Sequence, residues 1–307
     1  MLVVVTGGAG FIGSHLVDAL IERGDEVRVL DDLSAGLREN VNPKATLHEG
    51  SITDVELLDE VMSGAELVFH EAARGSVPRS VADPLGTDHA NVHGTLAVLH
   101  AAHLAGVRRF VAASSSSVYG GLGPRPTPES TPLTPRSPYA VSKMTGEHYL
   151  RVYAELHGME TVALRYFNVY GPRQRPDSAY AAVIPLFIDA LRQGRSPMVH
   201  GDGKQSRDFA FVSDVVRANI LASEADPVRC SGNAYNVAGG GEQSLLEMLD
   251  ILGDVLGTSV APEFVEPRTG DVRFSYADLT AGGTDLGYSP TVSFADGLRQ
   301  TAAWFSR

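Results

Sequence analysis

A chain of 307 residues, 43% apolar and 20% charged, is long enough to bury a sizeable core and too apolar to be disordered. Its 25 Lys and Arg against 37 Asp and Glu give a formal charge of −12, which argues against nucleic acid or an anionic membrane as a partner. The single Cys230 excludes an intrachain disulfide and a cysteine-based metal site, and no apolar run reaches the ~18 residues of a membrane span. No charged leader precedes the first apolar run, so a reducing, cytoplasmic setting is expected, and no metal.

Leu2–Thr6 is apolar and β-branched and reads as a buried strand. Ile12–Arg23 sets Ile12, Leu16, Ala19 and Leu20 on one helical face, and Gly24 can end that helix. Further strands are predicted over Glu26–Leu30, Glu66–His70, Arg109–Ala113 and Thr161–Arg165. Helices over Val55–Met62, Ala90–Ala105 and Pro138–His157 fall between them. This alternation predicts an α/β fold with a doubly wound, Rossmann-type parallel sheet covered on both faces. The second half is less regular. Gly120–Pro138, Gly171–Ala179, Gly201–Asp208 and Pro262–Asp271 read as long loops, and such loops in a compact chain are commonly functional.

Three patterns carry chemistry. Gly7, Gly10 and Gly13 are spaced through Thr6-Gly7-Gly8-Ala9-Gly10-Phe11-Ile12-Gly13, between the first strand and the first helix. A tight turn, close approach of a pyrophosphate and close helix–sheet packing each exclude a side chain there. Asp31, 18 residues after Gly13 and followed by Asp32, ends the second strand. A carboxylate there accepts from both ribose hydroxyls and repels a 2′-phosphate, which favours NAD over NADP. Tyr139 and Lys143 are four apart in a helical segment and so share a face, where the cation is expected to lower the phenol's pKa. A phenol so tuned can act as general acid or base on an alcohol. Ser114-Ser115-Ser116-Ser117 follows a predicted strand at its carboxyl end, where ligands bind in open α/β sheets.

Together with VRVLDDLSAG, VFHEAA, SVPRSVADP, NVHGTL, SSSSVYG, SPYAVSK, LRYFNVYGPRQ, GDGKQSRDF and PRTGDV, these segments run in order over almost the whole chain. The chain resembles the UDP-hexose 4-epimerases of the extended short-chain dehydrogenase/reductases. The resemblance implies a dinucleotide-binding domain over 1–165 with about 209–237, and a smaller α/β domain for the UDP-sugar over 166–208 and 238–307. It implies Tyr139 as catalytic base, Lys143 as its partner and Ser115 as the catalytic hydroxyl, with Ser116 as the alternative. Dehydratases of the superfamily carry an acidic pair where Ser116 and Ser117 stand, so dehydration is disfavoured. The implied reaction removes the C4 hydroxyl proton and the C4 hydride, lets a 4-keto sugar turn over, and returns the hydride to the other face. Net redox is zero, so NAD is expected to stay bound.

By the same resemblance Gly7, Gly10, Phe11, Ile12, Gly13, Asp31, Ala72, Ala73 and Tyr166 contact NAD. Ser51-Ile52 takes the place of an Asp-Ile pair at the adenine, a departure expected to loosen that end modestly. Glu71 replaces an apolar residue and Arg74 a Gln; a mutual salt bridge is the plain expectation. Asn168, Arg207 and Arg268 match UDP-binding positions, Asp271 a ribose contact, and His200 or Val199 a place against the uracil. Ser275 matches a gate that, when small, admits N-acetylated sugars, and Ala179–Pro185 points the same way. Arg175 instead resembles the cation that holds the carboxylate of a uronate in UDP-glucuronate 4-epimerases, whereas Asn168 departs from their Thr. The alternatives are therefore that activity, another NAD-dependent nucleotide-sugar enzyme, or a non-catalytic NAD-binding regulator. Relatives also imply a homodimer in which Ala90–Ala105 and Pro138–His157 pair into a four-helix bundle. The plain expectation for Val92, Leu96, Leu99, Ala102 and His103 is packing on their own sheet.

Overall fold

The computed structural model describes residues 1–175, 182–267 and 273–306. Its strands are β1 (Leu2–Thr6), β2 (Glu26–Asp31), β3 (Thr46–Glu49), β4 (Leu67–His70), β5 (Arg109–Ser115), β6 (Glu160–Tyr166), β7 (Met198–His200), β8 (Ser206–Asp208), β9 (Asn233–Val237), β10 (Glu242–Ser244), β11 (Glu263–Val265) and β12 (Phe274–Ser275). The helices are α1 (Phe11–Glu22), α2 (Val55–Met62), α3 (Val77–Ala82), α4 (Pro84–Asp88), α5 (Gly94–Leu104), α6 (Pro138–His157), α7 (Val183–Arg192), α8 (Val212–Glu224), α9 (Pro227–Cys230), α10 (Leu245–Leu256), α11 (Thr280–Asp285) and α12 (Phe294–Phe305).

Seven strands form one parallel sheet in the order β3-β2-β1-β4-β5-β6-β9. Strand alternation sorts the core. Val3 and Val5 face the layer that holds Leu16 and Leu20 of α1 and Val215 and Ala218 of α8. Val4 faces the opposite layer, with Leu58 and Val61 of α2, Val98 and Leu99 of α5, and Leu150 of α6. All three valines are fully buried, each worth about 1.5–3 kcal/mol relative to exposure. A further apolar cluster gathers Ile184, Phe187 and Ile188 of α7, Met248 and Leu252 of α10, and Leu298 and Ala302 of α12.

The predicted strands and helices recur within one or two residues, and β5 runs on through Ser114 and Ser115. Two predicted loops are corrected. Gly201–Asp208 contains β8, which is antiparallel to β10 and parallel to β12, and Pro262–Asp271 begins with β11, which pairs with β7. Strands of three residues leave too short a period to read. The helix predicted over Ala90–Ala105 forms, its first turn over His89–His93 wound as a π-helix that continues into α5. Its Leu99 and Ala102 pack on the sheet, as the plain reading had it. No helix among the described residues is long and apolar enough to cross a membrane.

Candidate active site

The site lies at the carboxyl ends of the parallel strands, where β1 sends the chain one way to β2 and β4 carries it the other way to β5. After Thr6 the chain reverses at Gly7, whose φ of +73° an L side chain resists. The Gly7 N–H donates to the Leu30 carbonyl at 2.8 Å, and the Gly7 carbonyl accepts from Gly10 N at 3.0 Å. A Cβ on Gly7 would sit 2.7 Å from Ala72 N, and one on Gly13 only 2.2 Å from the Gly7 oxygen. Turn, β4 exit and α1 therefore meet backbone to backbone. Gly10 is more open, with a single atom at 3.1 Å from its would-be Cβ. It caps α1 without a side-chain hydrogen bond, so the first-turn N–H groups and the helix dipole face outward as an anion cradle.

Asp31, buried at the end of β2, accepts from Ala9 N and Leu33 N, both at 2.9 Å. Burial raises its carboxyl, against the pull of those two donors. Its remaining lone pairs suit a pair of ribose hydroxyls. Asp32 is exposed and accepts from Ser34 N at 2.9 Å and Ser34 Oγ at 2.6 Å. Ser51 Oγ pairs with the Thr53 hydroxyl at 2.8 Å, and Ile52 packs against Gly94. Ala72 N donates to Thr6 Oγ1 at 3.3 Å, while Phe11, Ile12 and Ala73 line the main cleft.

α6 is locally well specified. Ser137 caps it by accepting from Ala140 N at 3.1 Å, Pro138 opens it, and Gly158 closes it at φ +67°. That start places Tyr139 and Lys143 over the end of β5. Alternation along β5 then resolves the serine run. Ser114 is turned inward and donates to Glu147 Oε1 at 2.5 Å. Ser115 lines the cleft with Tyr139 and accepts from Ser117 N at 3.2 Å. Ser116 and Ser117 also line the cleft, and Ser114 reaches its wall while its hydroxyl is engaged by Glu147.

The expected lowering of the Tyr139 pKa is corrected. Burial raises this phenol, with the neighbouring Ser115 pulling the other way. Lys143 Nζ donates instead to the Ala113 carbonyl at 2.7 Å, and burial brings its own pKa down to about 8. The expected Glu71–Arg74 bridge is also corrected. Arg74 pairs with Asp83 at 2.6 Å, while Glu71 accepts from the Tyr166 hydroxyl at 2.7 Å, which in turn accepts from Asn219 Nδ2 at 2.8 Å.

Two cavities, of about 810 and about 500 Å³, share walls at Asn168, Val169, Gln174 and Arg207. The larger holds Glu71, Ser115, Tyr139, Lys143, Tyr166 and Ser275. Asn168, at φ +31°, donates to the Asp208 carbonyl at 2.9 Å. Arg207 donates to the Ser206 carbonyl at 2.9 Å. His200 lines the smaller cavity and pairs with the Glu266 carbonyl at 3.0 Å, whereas Val199 is fully buried in the core and so cannot meet a ligand. Arg175 is exposed and lies on neither cavity wall. Arg268 and Asp271 lie outside the described residues.

Sequence reasoning passed over Glu147 and Arg165. Glu147 accepts from Arg165 Nε at 2.9 Å and from its terminal nitrogen at 2.7 Å, with both side chains buried. Two signals pointed there. Glu147 continues the Tyr139–Lys143 stripe by another four residues, and Arg165 interrupts an apolar strand, which demands a buried partner.

A glycine turn feeding a helix, an acid ending the next strand and a Ser–Tyr–Lys group two strands away define a dinucleotide-dependent enzyme of the doubly wound class. The family model described as "NAD dependent epimerase/dehydratase family" matches residues 3–238. The structure of a UDP-glucose 4-epimerase from Thermotoga maritima, solved with UDP-glucose, is 39% identical with a TM-score of 0.95, covering 100% of this chain and 99% of that one. That of a UDP-N-acetylglucosamine 4-epimerase from Methanobrevibacter ruminantium, with UDP-N-acetylmuramic acid, is 40% identical with a TM-score of 0.94, covering 99% and 97%. A dTDP-glucose 4,6-dehydratase from Actinoplanes is 37% identical over 99% of this chain and 98% of its own. The chain is an enzyme that belongs to the NAD dependent epimerase/dehydratase family.

Proposed function

We propose that the protein is an NAD-dependent 4-epimerase of UDP-hexoses, acting on UDP-glucose and UDP-galactose and also on their N-acetylated counterparts. The observation that carries the reading is the gathering of Ser115, Tyr139 and Lys143 on the wall of one cleft, which is continuous with the cavity that holds Asn168 and Arg207. NAD fits the chain's own residues: the Gly7–Gly13 cradle takes the pyrophosphate and Asp31 the adenosine ribose. Bound NAD supplies reversible hydride acceptance at the sugar's C4. Tyr139 takes the C4 hydroxyl proton as the hydride leaves and gives it back after the ketone has turned over. Ser115, beside Tyr139 in the cleft, pulls the phenol's pKa down against the effect of burial and so favours the phenolate. Lys143 is anchored to the β5 carbonyl and supplies positive charge behind the base. Arg207 and, by resemblance, Arg268 hold the diphosphate.

Ser275 on the wall of the larger cavity supports room for an acetamido group. Glu71 is the one carboxylate among the described residues of that wall, and it is engaged by the Tyr166 hydroxyl, while serines stand at positions 116 and 117. That supports epimerisation over loss of water. A division into a dinucleotide domain (1–165 with about 209–237) and a sugar-nucleotide domain (166–208 and 238–307) is supported by the separate apolar cluster of α7, α10 and α12. A homodimer through α5 and α6 is supported by exposed Leu104 and Leu156 at their ends.

Separate incubation with UDP-glucose, UDP-N-acetylglucosamine and UDP-glucuronate, without reductant, tests the reading by chromatography of the products. Conversion of the first two to their C4 epimers is expected. Conversion of UDP-glucuronate alone overturns the sugar assignment in favour of Arg175, and no conversion even with added NAD overturns the epimerase reading. Ser275→Tyr should abolish turnover of the N-acetylated sugar and spare UDP-glucose.

A further inference from the structure

The strand order fixes how a dinucleotide must lie. Its adenosine half runs toward β2, where Asp31 stands, so its other half runs across β1 to β4 and β5. The first acidic residue met on that path is Glu71, which directly follows β4 and lines the same cleft as Tyr139 and Lys143. Its surroundings are built around a carboxylate. The Tyr166 hydroxyl has one proton; accepting from Asn219 Nδ2 at 2.8 Å, it points that proton at Glu71 Oε1, 2.7 Å away. The titratable groups facing Glu71 are Lys143 and Tyr139 from α6 and Tyr166 from β6. His70, just before it, is held neutral by burial, with its ring between the Thr6 and Thr95 hydroxyls at 2.7 and 2.9 Å.

Lys143 is thus a cation in the pocket that must accept the positively charged ring of an oxidised nicotinamide. Like charges in a shared cleft favour the neutral, reduced ring. We propose that Glu71 offsets this by placing a negative charge beside the nicotinamide, so that the bound dinucleotide rests in its oxidised form between turnovers. An epimerase needs that resting state, because a cofactor left reduced cannot take the next hydride. The role is one of positioning charge, since Glu71 takes no part in the transfer from sugar to ring.

The inference rests on the proposed dinucleotide and not on the choice of sugar. Redox titration of the purified holoenzyme, read by the absorbance of reduced nicotinamide, tests it. At about pH 9, above the Glu71 pKa of about 7, Glu71→Gln should bind the reduced form about tenfold more readily relative to the oxidised, a shift of about +30 mV in potential. The two proteins should converge at about pH 6, where the wild-type carboxyl is protonated. Tyr166→Phe keeps the carboxylate and should match wild type at about pH 9. Equal potentials for wild type and Glu71→Gln at about pH 9, or Tyr166→Phe matching Glu71→Gln there, would overturn the proposal in favour of a packing role. If Glu71→Gln does not fold, wild type alone decides. Its potential must fall more steeply as pH passes 7, before Lys143, with a pKa of about 8, loses its own proton; a plot that bends only near 8, or not at all, overturns the inference. Absence of bound nicotinamide in wild type would sink the proposed function as well, which separates the two failures.

Discussion

Removing one member of the Glu147–Arg165 pair should be far worse than removing both. Glu147→Leu strands a guanidinium that is 7% exposed, leaving it the Tyr119 hydroxyl at 2.7 Å and the Glu129 carbonyl at 3.2 Å. Arg165→Met strands a carboxylate that is 8% exposed, with only the Ser114 hydroxyl as donor. Each single change is expected to lose about 3–5 kcal/mol, because an uncompensated buried charge remains. The double variant fills the same space with apolar groups and leaves the Ser114 hydroxyl and the Glu129 carbonyl without these partners, while the Tyr119 hydroxyl keeps its bond to Asn236. It should lose no more than about 2 kcal/mol. Urea unfolding of wild type and the three variants reads the coupling directly, provided the slopes agree. Additive single losses would refute the reasoning and mean that water reaches the pair. Turnover should follow stability in the singles, since Ser114 sits between this pair and Ser115 in β5.

Gly13→Ala puts a methyl group 2.2 Å from the Gly7 oxygen, and neither backbone can yield, so NAD affinity should collapse in calorimetry; wild-type affinity would contradict the cradle. Tyr139→Phe should lower turnover by about 10²–10⁴-fold while the nicotinamide stays bound, and retained turnover would remove Tyr139 as the base. Burial lifts the Glu71 carboxyl from its ordinary 4.5 to about 7, so folding takes up a proton between those values. Its stabilisation is present below about pH 4.5 and is lost as pH rises through about 7. In thermal melts of cofactor-free protein, Glu71→Gln should therefore match wild type near pH ~4 and exceed it near pH ~8. A less stable variant near pH ~8 would contradict the sign.

Local patterns were enough where one period or one backbone demand dominates. Val3, Val4 and Val5 can be nothing but a strand buried on both faces, and Gly7 and Gly13 are the residues a chain needs where two backbones touch. The Ser137-Pro138 start of α6 fixes Tyr139 and Lys143 on one face from sequence alone. Hydrogen bonds between distant segments were not legible. Which serine meets Tyr139 depends on the pleat of β5 continuing past Ala113, and that continuation comes from pairing Ser114 and Ser115 with Arg165 and Tyr166 of β6. Glu71 and Arg74 are three residues apart in sequence, yet β4 ends between β1 and β5, which turns Glu71 to Tyr166 and leaves Arg74 outside with Asp83. The fall expected for the Tyr139 pKa failed for the same reason. Helical spacing puts a lysine beside a phenol, but the fold buries both and offers the lysine a nearer carbonyl. Spacing along a chain decides which side chains share a face; burial and the partners brought by other strands decide what charge they carry there.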